Sequence, residues 1–591
     1  MESIVKDCTS NNNNNNSSVC RICNQKITSS DDGGALINHY LECIDSLKSV
    51  LLNIKSSNQK HDDDQQDSTT RKRKKIENVS PTTTTISSTN HYFKDTLFRV
   101  SMISILHRED HNQSVMSLLM TCKDAMKWKD TVVFPRLPSI DTIAYYKKNR
   151  KINQLPRRYN RVYIDNDRDR DYFQENVDGL INHHCRELYY NVDEELPAGF
   201  IPDHFTKIYF GEDYQNQLEV GSIPPFTTHL YLGDSYQQDI HKQLFPDTLE
   251  VLNIPTNVTI ESGDINDLLP HNIKELHIPS DLVHPYLFKL KQLTCLIIAD
   301  IESEDGENDG SEGFVPTIKV GSLPNTIVHL DLESCSVEVG AIPSSVKYLS
   351  INLTNNDPTC IPSSVKSLYA KWDESTPITK GMIPSTVTEL VLDEQYSLLP
   401  GSIPSSVTTL TLMALDETPP KGAIPNKVHS LFLFGMMCEL NASILPNSIK
   451  YLGIHGDCSL KLISMIPPST KYFDYQSTNL IGADVKFSAN DIPNGVTHIR
   501  LGVGFNKVVV PGFIPDSCEY LEFSETYDHR VPHWALPKSL KTISYNPACR
   551  KISENIPSSL NQSFTNIGHE GTHWETTPMD YWKGMTWHLN E

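Results

Sequence analysis

Residues 401–412 read Gly401-Ser402-Ile403-Pro404-Ser405-Ser406-Val407-Thr408-Thr409-Leu410-Thr411-Leu412, and this short segment is the key to the chain. Val407, Leu410 and Leu412 stand three, six and eight residues after Pro404, and the same frame returns again and again. Gly221-Ser222-Ile223-Pro224 leads to Thr227, Leu230 and Leu232; Pro343 leads to Val346, Leu349 and Ile351; Gly422-Ala423-Ile424-Pro425 leads to Val428, Leu431 and Leu433. Pro202, Pro246, Pro270, Pro324, Pro362, Pro384, Pro446, Pro467, Pro493, Pro515, Pro537 and Pro557 are read as further anchors. Most are about 19 to 26 residues apart, near the period of leucine-rich repeats. Between Pro270 and Pro324, Leu290 takes the proline slot, with Leu293, Leu296 and Ile298 at the right offsets and an acidic insert after them. Pro156 with Tyr159, Val162 and Ile164, and Asn182 with Cys185, Leu188 and Tyr190, extend the array upstream.

The L-x-L alternation has a period of two, so its apolar residues share one face of a short strand and the residue between them faces the other way. Proline is acceptable at the first residue of a strand, and the glycine ahead of it permits a turn. One rung buries almost nothing alone, whereas stacked rungs make a continuous aliphatic core. The expected fold is therefore a repeat solenoid, a leucine-rich-repeat-like parallel β array of about 17–19 rungs with short turns. A small helical N-terminal element, a small zinc module and disordered linkers complete it.

The surrounding sequence divides the 591 residues further. An Asn-rich leader (1–19) and a linker (53–91) holding HDDDQQDSTT and PTTTT have too little apolar material to offset their ordering entropy. Between them lies a compact stretch, 20–52; a helical element follows at 92–150, then the array at 151–565 and a C-terminal cap at 566–591. With 52 basic and 73 acidic residues the chain is strongly acidic, which disfavours broad attraction to nucleic acid or anionic membrane. The start MESIVKDCTSNNNNNN has no cationic segment leading into an apolar one, and no run of 18 apolar residues occurs, so an intracellular protein is expected.

The segment 401–412 resembles the FNIP (IP22) repeat, a relative of the leucine-rich repeat. The resemblance covers about two thirds of the chain and implies a solenoid used for protein binding, with no enzymatic chemistry in the repeat itself.

Several motifs outside the repeat carry chemistry. Cys20-x2-Cys23 followed by His39-x3-Cys43 has the spacing of a turn plus one helical face, and thiolate with imidazole selects zinc. Four protein ligands leave no open position, so that zinc is structural; the module is similar to C2HC fingers. Arg71-Lys72-Arg73-Lys74-Lys75 reads as a nuclear import signal or as a solvated linker charge block. Ser114 to Lys123 with Trp128 resembles the second half of an F-box, although the leading Leu-Pro is absent. That resemblance implies a Skp1-like adaptor and a role as substrate receptor of a cullin ubiquitin ligase; the alternative is a helical cap over the first rung. His569-Glu570-Gly571-Thr572-His573 satisfies H-E-x-x-H, but a glycine inside the required helix costs ~1 kcal/mol and speaks against a zinc peptidase.

On the array, positions seven residues past successive anchors are Tyr163, Tyr189, Tyr209 and Tyr231. Four aromatic side chains in register predict a partner-binding ladder on the strand face. The combined expectation is a non-enzymatic protein-interaction scaffold, with a nuclear zinc-finger adaptor for nucleic acid and a zinc peptidase as the competing classes.

Overall fold

The computed structural model describes residues 133–564, apart from 177–178, 242, 257, 259–267, 284–286, 300–314, 373–376, 394–396, 415–417, 436–443, 456–464, 477–487, 503–504, 525, 546–555 and 557–559. It also describes the backbone of three short strands near the start: β1 (Thr9–Asn11), β2 (Ser17–Cys20) and β3 (Lys26–Thr28). These pair antiparallel, Thr9 opposite Cys20 and Ser17 opposite Thr28, so β1 and all of β2 but Cys20 fall within the leader expected to be disordered. The rest of the zinc module, the basic run 71–75, the F-box-like segment 114–128 and the motif 569–573 lie outside the described residues.

The chain divides into two compact units, residues 1–194 with 199–211, and residues 195–198 with 212–591. In the first, four strands run parallel: β4 (Phe134–Arg136), β5 (Tyr159–Ile164), β6 (Glu187–Tyr190) and β7 (Lys207–Phe210). Among the described residues the array is already present at Phe134, inside the segment expected to be helical. Phe134 pairs with Tyr159 across the ladder and is 1% exposed, so this first rung already contributes to the core without a proline anchor. Two helices interrupt the strands, α1 (Ile140–Lys148) and α2 (Asp167–Glu175). Ser139 caps α1 by accepting from the Thr142 amide, with Asp141 in the first turn and Lys147 and Lys148 in the last, as the helix dipole favours. Asn166 caps α2 through the Asp169 amide, and Phe173 on its buried side packs against Phe200 and Phe205 at 5.5 and 5.7 Å between ring centres.

Among the described residues the second unit contains sixteen parallel rung strands, from His229–Tyr231 to Asn561–Phe564, and a separate parallel pair, Thr317–Ile318 with Ser336–Val337. Leu252, Leu276, Leu296, Leu330, Leu349, Leu368, Leu390, Leu410 and Leu431 stand in register from strand to strand, each at most 1% exposed. Fully burying one such side chain stabilises the fold by roughly 1.5–3 kcal/mol, and the contribution exists only when the neighbouring rungs are present. Leu290 does stand in the proline slot, since Leu293, Leu296 and Ile298 are all buried. The last rung is shifted by one: Tyr545 pairs with Phe564 and Ser544 with Ser563, which puts Ile556 rather than Pro557 at the anchor position.

The anchor prolines are turn residues and not the first residues of strands. The Pro404 carbonyl accepts from the Val407 amide at 3.1 Å, and the strand begins only at Thr409; Pro384 with Val387 and Pro425 with Val428 repeat this. Proline needs no donor there, and its fixed φ suits the entry to a turn. Gly401 and Gly422 ahead of it have φ of 80° and 87°, the left-handed region that a side chain with a Cβ resists.

The turn carries a second regularity. The hydroxyl two places past the anchor donates to the carbonyl three places past the preceding anchor: Ser406 to Val387, Ser448 to Val428, Ser469 to Ile449, Ser517 to Val496 and Ser539 to Cys518, at 2.6–2.8 Å. Thr248 and Thr326 do the same toward Thr227 and Leu293. These carbonyls precede the strand ladder, and the hydroxyl column satisfies buried acceptors that the sheet does not reach. Among the described residues no helix is long and apolar enough to cross a membrane.

Candidate binding faces

In β5, β6 and β7 the residues Val162 and Ile164, Leu188 and Tyr190, Ile208 and Phe210 point into the core, which leaves 161, 163 and their counterparts on the opposite face. The register places Tyr163 opposite Tyr189 and Tyr189 opposite Tyr209. Their rings stack with centres 4.3 and 4.4 Å apart and planes within 7° and 6° of parallel. The spacing is set by the strand separation of about 4.8 Å, so the backbone orders the rings. The Arg136 guanidinium lies over the Tyr163 ring, 3.7 Å from its centre, and extends the stack by one cation. Burial, followed by the neighbouring phenols, pushes the Tyr189 hydroxyl well above the usual tyrosine range.

Beside the rings runs a charged column. Arg161 Nε lies 2.6 Å from Glu187 Oε2, and Lys207 Nζ lies 3.8 Å from Glu187 Oε1. At the strand entry, two places past each anchor, stand Arg158, His184 and His204. Burial, then His183, Arg158 and Arg186, hold the His184 imidazole below its ordinary range, and burial, then Arg186 and His183, do the same to His204. Three of the four predicted tyrosines are thus brought together. Tyr231 opens the second unit instead and is 8% exposed.

The corresponding column of the second unit differs. Asn253, His277, Ile297, Val391, Thr411, Phe432 and Asp474 occupy the middle of L-x-L, and each is buried although it faces away from the aliphatic core. Phe432 shows why. Its ring lies over the next rung, where an added Cβ on Gly453 would come within 2.7 Å of it, and Tyr451 and His455 pack at 4.9 and 6.4 Å. Large neighbours on the same face cover the middle position.

Two polar clusters sit in this column, and neither follows from reading only its first four members. Glu333 accepts from the Ser350 hydroxyl at 2.5 Å and pairs with Lys371 at 2.9 Å, while the Tyr369 hydroxyl donates to Asp393. Burial, then the Glu333 carboxylate, pushes Asp331 up to about 8. Further along, Asp474 receives His455 at 3.1 Å, Gln476 and, at 3.8 Å, Arg500, which also pairs with Glu522 at 3.3 Å. The signal was present: Leu330-Asp331-Leu332, Phe473-Asp474-Tyr475, Ile499-Arg500-Leu501 and Leu521-Glu522-Phe523 each hold a charge between two core residues. Among the described residues no group of three or more His, Cys, Asp or Glu is arranged to hold a metal ion. Cys20 is a strand residue, and its three partners in the expected zinc set lie outside the described residues.

In each unit one parallel strand per rung, with its inward apolar residues buried, defines a leucine-rich-repeat-like solenoid. Residues 214–257, 375–414 and 486–526 match the FNIP Repeat, each match spanning two strands, and the chain carries FNIP repeats. No curated protein matches it. Among solved structures it is similar to one described as "CroV588 a novel circular LRR protein structure", at 18% identity, covering 70% of this chain and 67% of that one, with a TM-score of 0.41.

Proposed function

We propose that the protein is a non-enzymatic interaction scaffold whose FNIP-type solenoid grips a protein partner on the strand face of β4 to β7. The stack of Tyr163, Tyr189 and Tyr209 carries this reading. Rings already ordered by the sheet give a large contact surface and lose little side-chain entropy on binding. The test is quantitative mass spectrometry of proteins retained by the full-length chain and by a Tyr163→Ser, Tyr189→Ser, Tyr209→Ser variant. A specific partner should fall by at least about tenfold with the variant, a loss of ~1.4 kcal/mol or more. Equal recovery from a variant that keeps its circular dichroism spectrum would remove the reading.

Two finer proposals accompany it and rest on sequence. Cys20, Cys23, His39 and Cys43 form a donor set suited to structural zinc. The segment 114–128, through its F-box resemblance, would deliver the bound partner to a Skp1-like adaptor. Co-purification of such an adaptor that survives deletion of 92–130 would remove the ligase role.

A further inference from the structure

The strand face of the first unit has a charge opposite to that of the whole chain. Overall, 52 basic residues face 73 acidic ones, yet on this face Arg136, Arg161 and Lys207 stand against Asp165 and Glu187. Glu187 serves two cations at once, Arg161 at 2.6 Å and Lys207 at 3.8 Å. At the strand entry Arg158 and Arg186 add the same sign, close enough to depress the neighbouring imidazoles.

The aromatic groups match this charge. Each ring face between rungs is covered by the next ring, and Arg136 covers the outer face of Tyr163 at 3.7 Å. The half-buried rings therefore offer edges, which carry the positive end of the aromatic quadrupole. The Tyr189 phenol, protonated at neutral pH like any tyrosine, is able to donate. A nucleic-acid base would need an open ring face to stack on, and the stack leaves none between its rungs. Donor edges flanked by guanidinium groups suit carboxylates.

We infer that the face formed by Arg136, Arg161, Tyr163, Tyr189 and Tyr209 binds an acidic peptide, a carboxylate-rich stretch of the partner protein. This rests on the proposed role of the face in partner binding and adds the chemistry of the partner.

Fluorescence anisotropy tests it with the full-length protein and four labelled probes: a Glu/Asp-rich peptide, its Gln/Asn counterpart, a Lys-rich peptide and a single-stranded oligonucleotide. The acidic peptide should bind at least about tenfold tighter than its neutral counterpart and weaken as salt rises to about 0.3 M. Arg136→Gln combined with Tyr189→Phe, which keeps the ring stack, should weaken the acidic peptide about tenfold. If the neutral peptide, the Lys-rich peptide or the oligonucleotide binds as tightly, and the three tyrosine-to-serine substitutions abolish that binding, the acidic chemistry falls and the face survives as a partner site. Binding of no probe, or binding that those substitutions leave unchanged, overturns both the chemistry and the site.

Discussion

In the first unit the position two places past the anchor holds Arg158, His184 and His204; in the second it is mostly a serine or threonine, and seven of these tie their rung to the one before. The middle of L-x-L differs in parallel. In the first unit it is a row of half-buried, stacked tyrosines, and in the second most of the residues from Asn253 to Asp474 are buried, Asp331 and Tyr369 being half-buried. Both units share the same inward positions. Inward residues make the array, while the two remaining columns tie rung to rung at many places in the second unit and, in the first, carry the basic residues and stacked tyrosines of the proposed partner site.

Substitutions can break this comparison. The largest effect should come from Asp474→Ala, which removes the carboxylate between His455 and Arg500 from a site only 3% exposed. Urea denaturation should show a loss of about 3 kcal/mol, because His455 and Gln476 lose their buried acceptor while Arg500 keeps Glu522. In the first unit Arg161→Ala should cost no more than about 1 kcal/mol, because the Arg161 side chain is 25% exposed and Lys207 remains beside Glu187. Equal costs in the two units would mean that their charged columns play the same part.

Asp331→Asn probes the acidic cluster through pH. Burial and Glu333 raise the folded carboxyl from 3.8 to about 8, so the folded state holds a proton that the unfolded chain releases. The stability linked to that proton is complete below about pH 4 and is lost as pH rises through 8. Asparagine removes this slope, and the melting temperature of the variant should gain on that of the parent between pH 4.5 and pH 8. Parallel melting curves across that window would show that Asp331 ionises normally.

The smallest effects test the hydroxyl column. Ser517 donates to the Val496 carbonyl at 2.7 Å and accepts from the Gly495 amide at 2.8 Å, so Ser517→Ala should cost about 1–2 kcal/mol. The equivalent His204→Ser in the first unit should stay within about 0.5 kcal/mol, since the His204 Nε2 atom is buried without a hydrogen-bond partner. A larger cost at His204 would show that the basic column also supports the stack.

Much of this was legible in the primary structure. Pro404 with Val407, Leu410 and Leu412 is one example of a frame that located nearly every strand, and the same arithmetic found Leu290 as a stand-in for proline. Phe134–Arg136 escaped because no anchor marks it. Pro557 misled because a proline beside the true anchor position looks the same in sequence as one on it. The tyrosine row was found because identical residues recur at one offset; the Asp331 and Asp474 clusters were not, because their members differ in type and meet only across strands.

Period and spacing were enough to establish stacked parallel strands with their apolar residues turned inward, since side-chain direction alternates along a strand whatever surrounds it. Which middle residues stay at the surface was decided only by tertiary packing. Tyr189 and Phe432 occupy the same repeat position, yet one is half-exposed and the other is covered by Tyr451 and His455. Exposure depends on the size of neighbours brought alongside by the fold, and that information is spread over several rungs rather than written in any one of them.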